Sequence, residues 1–297
     1  MTEADPGKIE NISDTARWVA IYRAMESERP DALFRDPWAR RLGGERGEAI
    51  VRAMPQGRKM AWPMIVRTAV FDRVILESIR TRGVDLVLNL AAGLDTRAWR
   101  LDLPPALRWV DVDLPAMTEY KQGVMQGETP RCRYEAVSAD LSDPIQRDGV
   151  FAREARESRC ALVVSEGLLV YLPESEVAAL ARSLAAHPVY RWWLMDLASP
   201  ALMEWMQKKW GRNVSEGGAP FRFAPDESSG FFAPFGWREA EVHPTMDEAL
   251  RLKRGVSSLW IYRLLKPIIP ESKREELRRF SIYLLLERMQ TATAPTS

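Results

Sequence analysis

The feature that most constrains this chain is the alternation of short apolar runs with helical patterns between residues 85 and 197. The runs are rich in strand-forming residues and are bounded by turns. Such alternation predicts a parallel sheet with helices on both faces, because parallel strands need long crossover connections. The predicted strands cover residues 85–90, 108–112, 134–138, 160–165 and 191–197.

Helical patterns precede this zone. Ser13 and Asp14 are predicted to cap a first helix, and residues 65–79 repeat apolar positions at helical spacing. Between them, residues 38–42 are predicted as a short helix that ends at Gly43 and Gly44.

The chain after Phe231 departs from the alternation. Residues 238–243 and 280–287 are predicted strands, which indicates an antiparallel pair at the edge of the sheet. A helical insertion around Trp260 is expected between them. Residues 211–218, rich in Gly, Asn and Ser, are expected to be mobile and to border an acceptor site.

Composition and charge exclude several classes of protein. Apolar residues make up 46% of the 297 residues, which rules out a mainly disordered chain. The 42 Lys and Arg residues balance 41 Asp and Glu residues, so no basic surface points to nucleic acid. No stretch reaches the roughly 18 apolar residues of a membrane span. We expect a cytoplasmic protein without a metal, a nucleic-acid partner or a membrane anchor.

A glycine turn follows the first predicted strand, and ligands of parallel sheets bind at strand carboxyl ends. Gly93 would let a ligand approach the backbone closely, and Asp95 would suit an ammonium group. The turn lacks the three glycines of the dinucleotide-binding GxGxxG motif. A glycine that merely closes a strand–helix junction is an equal alternative from these residues alone.

Acidic residues also follow the next three strands. Asp113 stands about twenty residues after the glycine turn, where a carboxylate can bind ribose hydroxyls, although capping of the next helix competes with this interpretation. Asp140 and Leu141 could meet an exocyclic amine and a ring. Glu166 ends an otherwise uncharged run, where an acid is unfavourable unless it is paired or faces a ligand.

Four acids at four strand ends together predict a pocket for a cationic nucleoside. S-adenosylmethionine fits, because it combines ribose, adenine, an amine and a sulfonium. A nicotinamide-dependent oxidoreductase is the alternative enzyme, but it should carry GxGxxG and a proton donor at a strand end. A cofactor-binding protein without turnover is the non-enzymatic alternative, which four unpaired carboxylates disfavour.

Several segments of the sequence match the motifs of a known group. They are NLAAGLDTR at 89–97, VDVDLP at 110–115 with Lys121 after it, Asp140-Leu141, SEGLLVYL at 165–172, DTARWVAIYRAME at 14–26, LFRDP at 33–37, RTAVFD at 67–72 and FGW at 235–237. Through them the sequence resembles the leucine carboxyl methyltransferase family, and in particular its bacterial branch. The resemblance spans nearly the whole chain, with Ala91 standing where many members have Gly.

The resemblance implies an α/β fold, a Rossmann-like methyltransferase sheet of seven mostly parallel strands with an antiparallel last pair. An N-terminal helical lid would occupy residues 1–80. The S-adenosylmethionine-binding core would occupy residues 81–290, with helical insertions near 200–230 and 247–279.

The resemblance also implies roles for individual residues. Arg67 would hold the carboxylate of the cofactor, Gly93 would line its methionine part and Asp113 its ribose. Asp140 and Leu141 would flank the adenine, and Glu166 would lie beside the aminoacyl end of the cofactor. The expected cofactor-binding residues are Arg67, Ala91, Gly93, Asp95, Asp113, Leu114, Asp140, Leu141 and Glu166.

The N-terminal segment contributes a basic residue to the site in relatives. We therefore assign Arg17, Tyr22 and Arg23 to the acceptor side, with a solvated helix face or core packing as an equally good interpretation.

The expected reaction is O-methylation by in-line transfer to a carboxylate of a small natural product or of a peptide C-terminus. A carboxylate with a pKa near ~4 is already ionised at neutral pH and needs no general base. His187 and His243 each precede a proline and are interpreted as structural, so no catalytic residue is assigned. A hydroxyl acceptor is the alternative, and the oligomeric state is not predicted.

Overall fold

The computed structural model describes residues 12–54, 57–216, 220–255 and 269–289. Seven strands form one sheet in the order β3-β2-β1-β4-β5-β7-β6. Strands β1 to β5 pair in parallel, and β7 runs antiparallel between β5 and β6, which confirms the predicted fold class. The strands are β1 Leu86–Leu90, β2 Arg108–Asp113, β3 Arg133–Ser138, β4 Ala161–Ser165, β5 Tyr190–Ala198, β6 Trp237–Pro244 and β7 Ser281–Arg288.

The two central strands are buried along their whole length, which explains their continuous apolar sequences. Alternate side chains point to opposite faces: Val87 and Leu162 pack into one core, and Leu88 and Val163 into the other. The chain runs from β1 outward to β3 and returns to β4 beside β1. This reversal places the switch point, and hence the expected ligand crevice, where β1 and β4 end.

Helices cover both faces of the sheet and its carboxyl-terminal edge. They are α1 Ile12–Ser27, α2 Ala39–Ala53, α3 Trp62–Thr81, α4 Arg97–Arg100, α5 Pro115–Val124, α6 Pro144–Arg156, α7 Glu174–Ala185, α8 Pro200–Glu216, α9 Thr245–Arg251 and α10 Glu271–Arg278. Trp18 and Ile21 of α1 pack with Ile65 of α3, Met203 of α8 and Phe221 in a third apolar cluster. This cluster joins the N-terminal helices to the region after β5.

The predicted N-terminal caps are wrong, whereas the helix does break at the predicted glycine pair. α1 already contains Ser13 and Asp14, and the Asp14 carboxylate pairs with Arg46 of α2 at 2.9 Å. α2 consists of two helical segments that meet at a kink, because Gly44 has a non-helical conformation with a φ of 61°. A Cβ atom on Gly43 would lie 2.5 Å from the Ile21 side chain, so this glycine serves close packing of α2 on α1.

Two expectations on the second half of the chain have different outcomes. The segment 211–218, expected to be mobile, is helical as far as Glu216 because α8 extends to that residue. The expected helical insertion around Trp260 lies outside the described residues, as do residues 217–219. Within the described ranges, no helix combines the length and apolar character needed to cross a membrane.

Candidate active site

A cavity of about 710 Å³ opens at the carboxyl ends of β1, β2, β3 and β4. All nine residues predicted to bind a cofactor line it, although they come from distant parts of the chain. They are Arg67, Ala91, Gly93, Asp95, Asp113, Leu114, Asp140, Leu141 and Glu166. The fold therefore brings the whole predicted set to one crevice.

The glycine turn after β1 forms one side of the cavity. Gly93 has a φ of 53°, and a Cβ atom there would lie 3.3 Å from the Ala16 side chain of α1. Ala91 also has a positive φ, 49°, in a region that L-residues occupy with strain. The turn is tied to the second strand, because the Gly93 amide donates a hydrogen bond to Asp113 at 2.6 Å.

Asp113 organises the glycine turn. Its carboxylate also accepts a hydrogen bond from the Leu114 amide at 2.7 Å, directly before α5, but no side chain caps α5. The alternative interpretation of Asp113 as the cap of the next helix is therefore wrong, and the side chain lines the cavity. Burial raises the pKa of Asp113 above its usual value, and the two amide hydrogen bonds only partly oppose this.

A buried network of ion pairs lies beneath the cavity. Arg97 is its centre, with contacts of 2.7 Å to Asp72, 2.7 Å to Asp95 and 2.8 Å to Glu166. Arg67 links Glu166 to Asp196, at 2.9 Å each, and Arg100 adds a second cation on Asp72. We call these seven residues the charged floor: Arg67, Asp72, Asp95, Arg97, Arg100, Glu166 and Asp196.

The charged floor carries more negative than positive groups. Its three arginines face four carboxylates, which leaves one negative charge in excess. Burial alone would raise the pKa of Glu166, but the guanidinium groups of Arg97 and Arg67 outweigh it and hold that pKa below its usual value. Burial would also raise the pKa of Asp95, but the positive charges of Arg97, Lys121 and Arg100 outweigh it and lower that pKa. Asp95 and Glu166 therefore stay ionised at neutral pH.

This network corrects the sequence interpretation, which treated four strand-end acids as unpaired. Asp95 and Glu166 are ion-paired, Asp113 is held by two amides, and Asp140 accepts hydrogen bonds from the Ser142 amide and hydroxyl. Asp95 and Glu166 can thus be buried beside Arg97 because arginines neutralise their charges.

Sequence reasoning missed five residues that shape the floor, among them Arg100. Arg97 and Asp72 each lay inside a recognised motif, but they are 25 positions apart and nothing local indicated that they pair. Asp196 lies near the carboxyl end of the mostly apolar strand β5, a signal similar to the one that identified Glu166. Gly167 has a φ of 68° and donates its amide to Asp196 at 2.6 Å, and a Cβ atom there would lie 3.1 Å from the Arg67 guanidinium.

The three residues assigned to the acceptor side lie in different places. Arg23 lines the cavity and joins α1 to the glycine turn, because it donates hydrogen bonds to Asp36 at 2.8 Å and to the Leu94 carbonyl at 2.6 Å. Tyr22 is buried with its hydroxyl on the Gly57 carbonyl, and burial raises its pKa to about 12. Arg17 lies over the ring of Tyr120 at 3.8 Å. Neither Tyr22 nor Arg17 is among the described residues that line the cavity.

A second part of the lining is apolar. It comes from the start of α3 and the residue Met60 before it, from α8 and from the stretches after β4 and α8. We call the following seven residues the apolar wall: Met60, Trp62, Met64, Val170, Leu202, Met206 and Phe221. All but Phe221 are only half-buried, so the wall offers apolar surface to whatever enters the cavity.

Both histidines lie away from the cavity lining. His243 contacts Glu241 at 3.0 Å and Glu248 at 3.5 Å, on β6 and α9. His187 lies edge-on against Tyr190 at the far end of β5.

Comparison with known proteins places this geometry among methyltransferases. The model of the leucine carboxyl methyltransferase family matches residues 16–185. A relative from Streptomyces coelicolor is 32% identical over 265 residues, which cover 82% of this chain and 89% of the relative. A relative from Streptomyces avermitilis is 30% identical over 262 residues, with the same coverage. The names of both assign them to the S-adenosyl-L-methionine-dependent methyltransferases.

Solved structures agree in fold. A DUF574 family protein from Streptomyces avermitilis superposes with a TM-score of 0.60 at 15% identity, over 93% of this chain and 97% of that one. A protein from Thermobifida fusca that is described as a methyltransferase gives a TM-score of 0.59 at 17% identity, over 95% of this chain and 96% of that one. At these identities the likeness concerns the fold alone.

Proposed function

The chain belongs to the leucine carboxyl methyltransferase family and is an S-adenosylmethionine-dependent methyltransferase, and from this premise we propose that it methylates a carboxylate of its acceptor. The observation that carries the choice of a carboxylate is the lack of a ready general base among the described residues that line the cavity.

The cavity suits S-adenosylmethionine in charge and in shape. The cofactor carries a sulfonium, an ammonium and a carboxylate, and hence one net positive charge, which complements the excess negative charge of the charged floor. Gly93 leaves room at the turn for close approach of a ligand. In this proposal Asp113 binds the ribose, Asp140 and Leu141 flank the adenine, and Arg67 and Glu166 hold the aminoacyl end.

The ionisable side chains of the lining outside the proposed ribose and adenine sites are poor bases. Arg97 and Arg67 hold the pKa of Glu166 below its usual value and so weaken it as a proton acceptor, and Asp196 is ion-paired with Arg67. Burial raises the pKa of Tyr171 and of Tyr283, so both stay protonated at neutral pH. An acceptor oxygen must therefore arrive already ionised, as a carboxylate does.

The protein contributes position rather than proton transfer. When bound, the cofactor supplies a methyl group to the attacking carboxylate oxygen; the methyl–sulfur bond breaks, its electron pair stays on sulfur, and no proton is released. The residues of the floor and turn hold the two reactants in line, which can contribute roughly 7–11 kcal/mol. We propose that residues 1–80 form the lid that excludes water from the cavity. We also propose that the protein is located in the cytoplasm, where the free thiols of Cys132 and Cys160 stay reduced.

Matched acids and alcohols test this proposal. The purified protein is incubated with cofactor labelled in the methyl group and with decanoic acid or decan-1-ol. We expect a methyl ester from the acid, which mild base cleaves to methanol, and no ether from the alcohol. The kcat/KM for the acid should stay flat from about pH 6 to 9, because no base titrates in that range. An ether product, with a rate that rises through neutral pH, would contradict the proposal.

A further inference from the structure

The hydroxyl groups around the apolar wall are already engaged within the protein. The Thr68 hydroxyl donates to the Met64 carbonyl at 3.0 Å, and the Tyr283 hydroxyl to the Pro63 carbonyl at 3.2 Å. All of these residues line the cavity. These polar groups therefore satisfy one another and offer little to a ligand.

The remaining hydroxyls of the lining show the same pattern. Thr245 and Ser281 are hydrogen-bonded to each other at 2.8 Å, and Tyr171 is hydrogen-bonded to Thr15. The backbone is occupied as well, because the Val170 carbonyl accepts from the amide that follows Phe221 at 2.7 Å. A ligand that lies along this surface meets groups whose main hydrogen bonds are made.

Charge is also confined to one part of the cavity. Four cations belong to the lining, and each is held by a carboxylate or a carbonyl. They are Arg23, Arg67, Arg97 and Arg100. The apolar wall itself contributes no charged side chain. Lys209 lies outside the lining, with its ammonium 3.5 Å from the Met60 Sδ. Among the described residues of the wall itself, a second charge on the acceptor would meet no charged side chain.

The wall is rich in thioethers and aromatic rings. Met60, Met64 and Met206 are unbranched and polarizable, so they adapt to irregular apolar shapes. Trp62 and Phe221 add flat apolar surface. Such a lining gains free energy from hydrocarbon area and loses it when polar groups are buried without partners.

On the basis of the proposed function, we infer that the acceptor is a monocarboxylic acid with an uncharged hydrocarbon body, bound along the apolar wall, and not a peptide C-terminus. A peptide brings one N–H and one C=O with every residue, and these groups lose their water on entry. The wall has few free groups to replace that water. A hydrocarbon body loses no hydrogen bonds and fills the same space.

A chain-length series tests the inference without turnover. The protein is saturated with S-adenosylhomocysteine, and straight-chain monocarboxylic acids of increasing length are titrated by calorimetry. We expect affinity to rise roughly fourfold per methylene until the wall is covered. An N-acetylated peptide with a C-terminal Leu should bind at least about tenfold more weakly than an acid of equal apolar area.

A matched pair of substitutions locates the effect. Met206→Gln places an amide on the wall and should weaken binding of the longest acid by about tenfold, with unchanged binding of S-adenosylhomocysteine. Met289→Gln is the control, since Met289 is partly exposed at the end of β7 and is not part of the lining. Met289→Gln should change neither the affinity for the longest acid nor the affinity for S-adenosylhomocysteine.

The outcomes separate this inference from the proposed function. A flat chain-length series, a peptide that binds as tightly as the acids, or equal effects of the two substitutions would overturn the inference. A steep series with methyl transfer only to the matching alcohols would uphold the hydrocarbon body while overturning carboxyl transfer. Methylation of peptide carboxylates together with a flat acid series would uphold carboxyl transfer and overturn the hydrocarbon body.

Discussion

The charged floor and the apolar wall line one cavity but are assembled differently. The floor joins side chains from α3, from the glycine turn and α4, and from the ends of β4 and β5, through direct ion pairs. The wall collects apolar side chains that are held by packing, a Tyr171–Phe221 ring stack and a Lys209–Met60 contact rather than by ion pairs. The floor is thus a set of interdependent charges, whereas each member of the wall contributes area on its own. The difference implies that single substitutions act on folding at the floor and on acceptor binding at the wall.

The largest expected effect comes from the centre of the floor. Arg97→Met removes the shared partner of Asp72, Asp95 and Glu166; Asp95 loses its ion pair, while Asp72 keeps Arg100 and Glu166 keeps Arg67. We expect the free energy of unfolding to fall by about 3–5 kcal/mol, measured by denaturant titration. Met206→Gln on the wall should change it by less than about 1 kcal/mol.

A surface ion pair provides the control for this prediction. Arg238 pairs with Glu287 at 2.6 Å but is 64% exposed, so Arg238→Met should lower stability by less than about 0.5 kcal/mol. Equal losses from Arg97→Met and Arg238→Met would mean that burial does not distinguish the floor.

The next effect concerns cofactor affinity. Asp113→Ala removes the proposed acceptor of the ribose hydroxyls and releases the Gly93 amide. We expect the affinity for S-adenosylmethionine to fall by at least about 100-fold by calorimetry, while the chain stays folded. Asp143→Ala is the matched control: Asp143 caps α6 outside the lining, so its loss should lower stability by about 1 kcal/mol and leave the affinity unchanged. Retained affinity in Asp113→Ala would contradict the site assignment.

Acidic pH should distinguish the two parts of the cavity. Since burial raises the pKa of Asp113, this carboxylate is protonated at a higher pH than an ordinary aspartate, whereas Asp95 and Glu166 stay ionised. Affinity for the cofactor should halve at the pKa of Asp113 and fall about tenfold per pH unit below it. Asp113→Asn should abolish this dependence. A methyl ester bound to the wall has no ionisable group and should bind equally well across the range.

The same pH dependence in wild type and in Asp113→Asn would assign the titration to another group. In that case the raised pKa of Asp113 would not govern cofactor binding.

The parts that could be predicted from sequence are those with a local pattern. β1 and β4 were placed within one residue, because a strand buried on both faces needs a continuous apolar run. The glycine turn and the acids at strand ends are also local, so their convergence on one cavity followed from the sheet topology.

The parts that could not be predicted depend on distant partners. Arg67 and Asp196 are 129 positions apart, and nothing in either segment indicates that the two side chains meet. The glycine pair in α2 was predicted as a helix stop and Gly44 does break the helix, but nothing local indicated the close packing of Gly43 against Ile21 of another helix. Local propensity carries no information on such contacts, and the same holds for the hydroxyl pairs around the wall.

The smallest effect tests the one departure from the family motif. Ala91 adopts a φ of 49°, which strains an L-residue, whereas Gly adopts it freely. Ala91→Gly should therefore raise the free energy of unfolding by about 0.5–1 kcal/mol, since the relieved strain exceeds the added flexibility of the unfolded chain. The neighbouring Ala92 has no positive φ and is buried, so Ala92→Gly should lower stability by about 1 kcal/mol. Opposite signs at adjacent alanines would show that backbone conformation, rather than the lost methyl group, governs this turn.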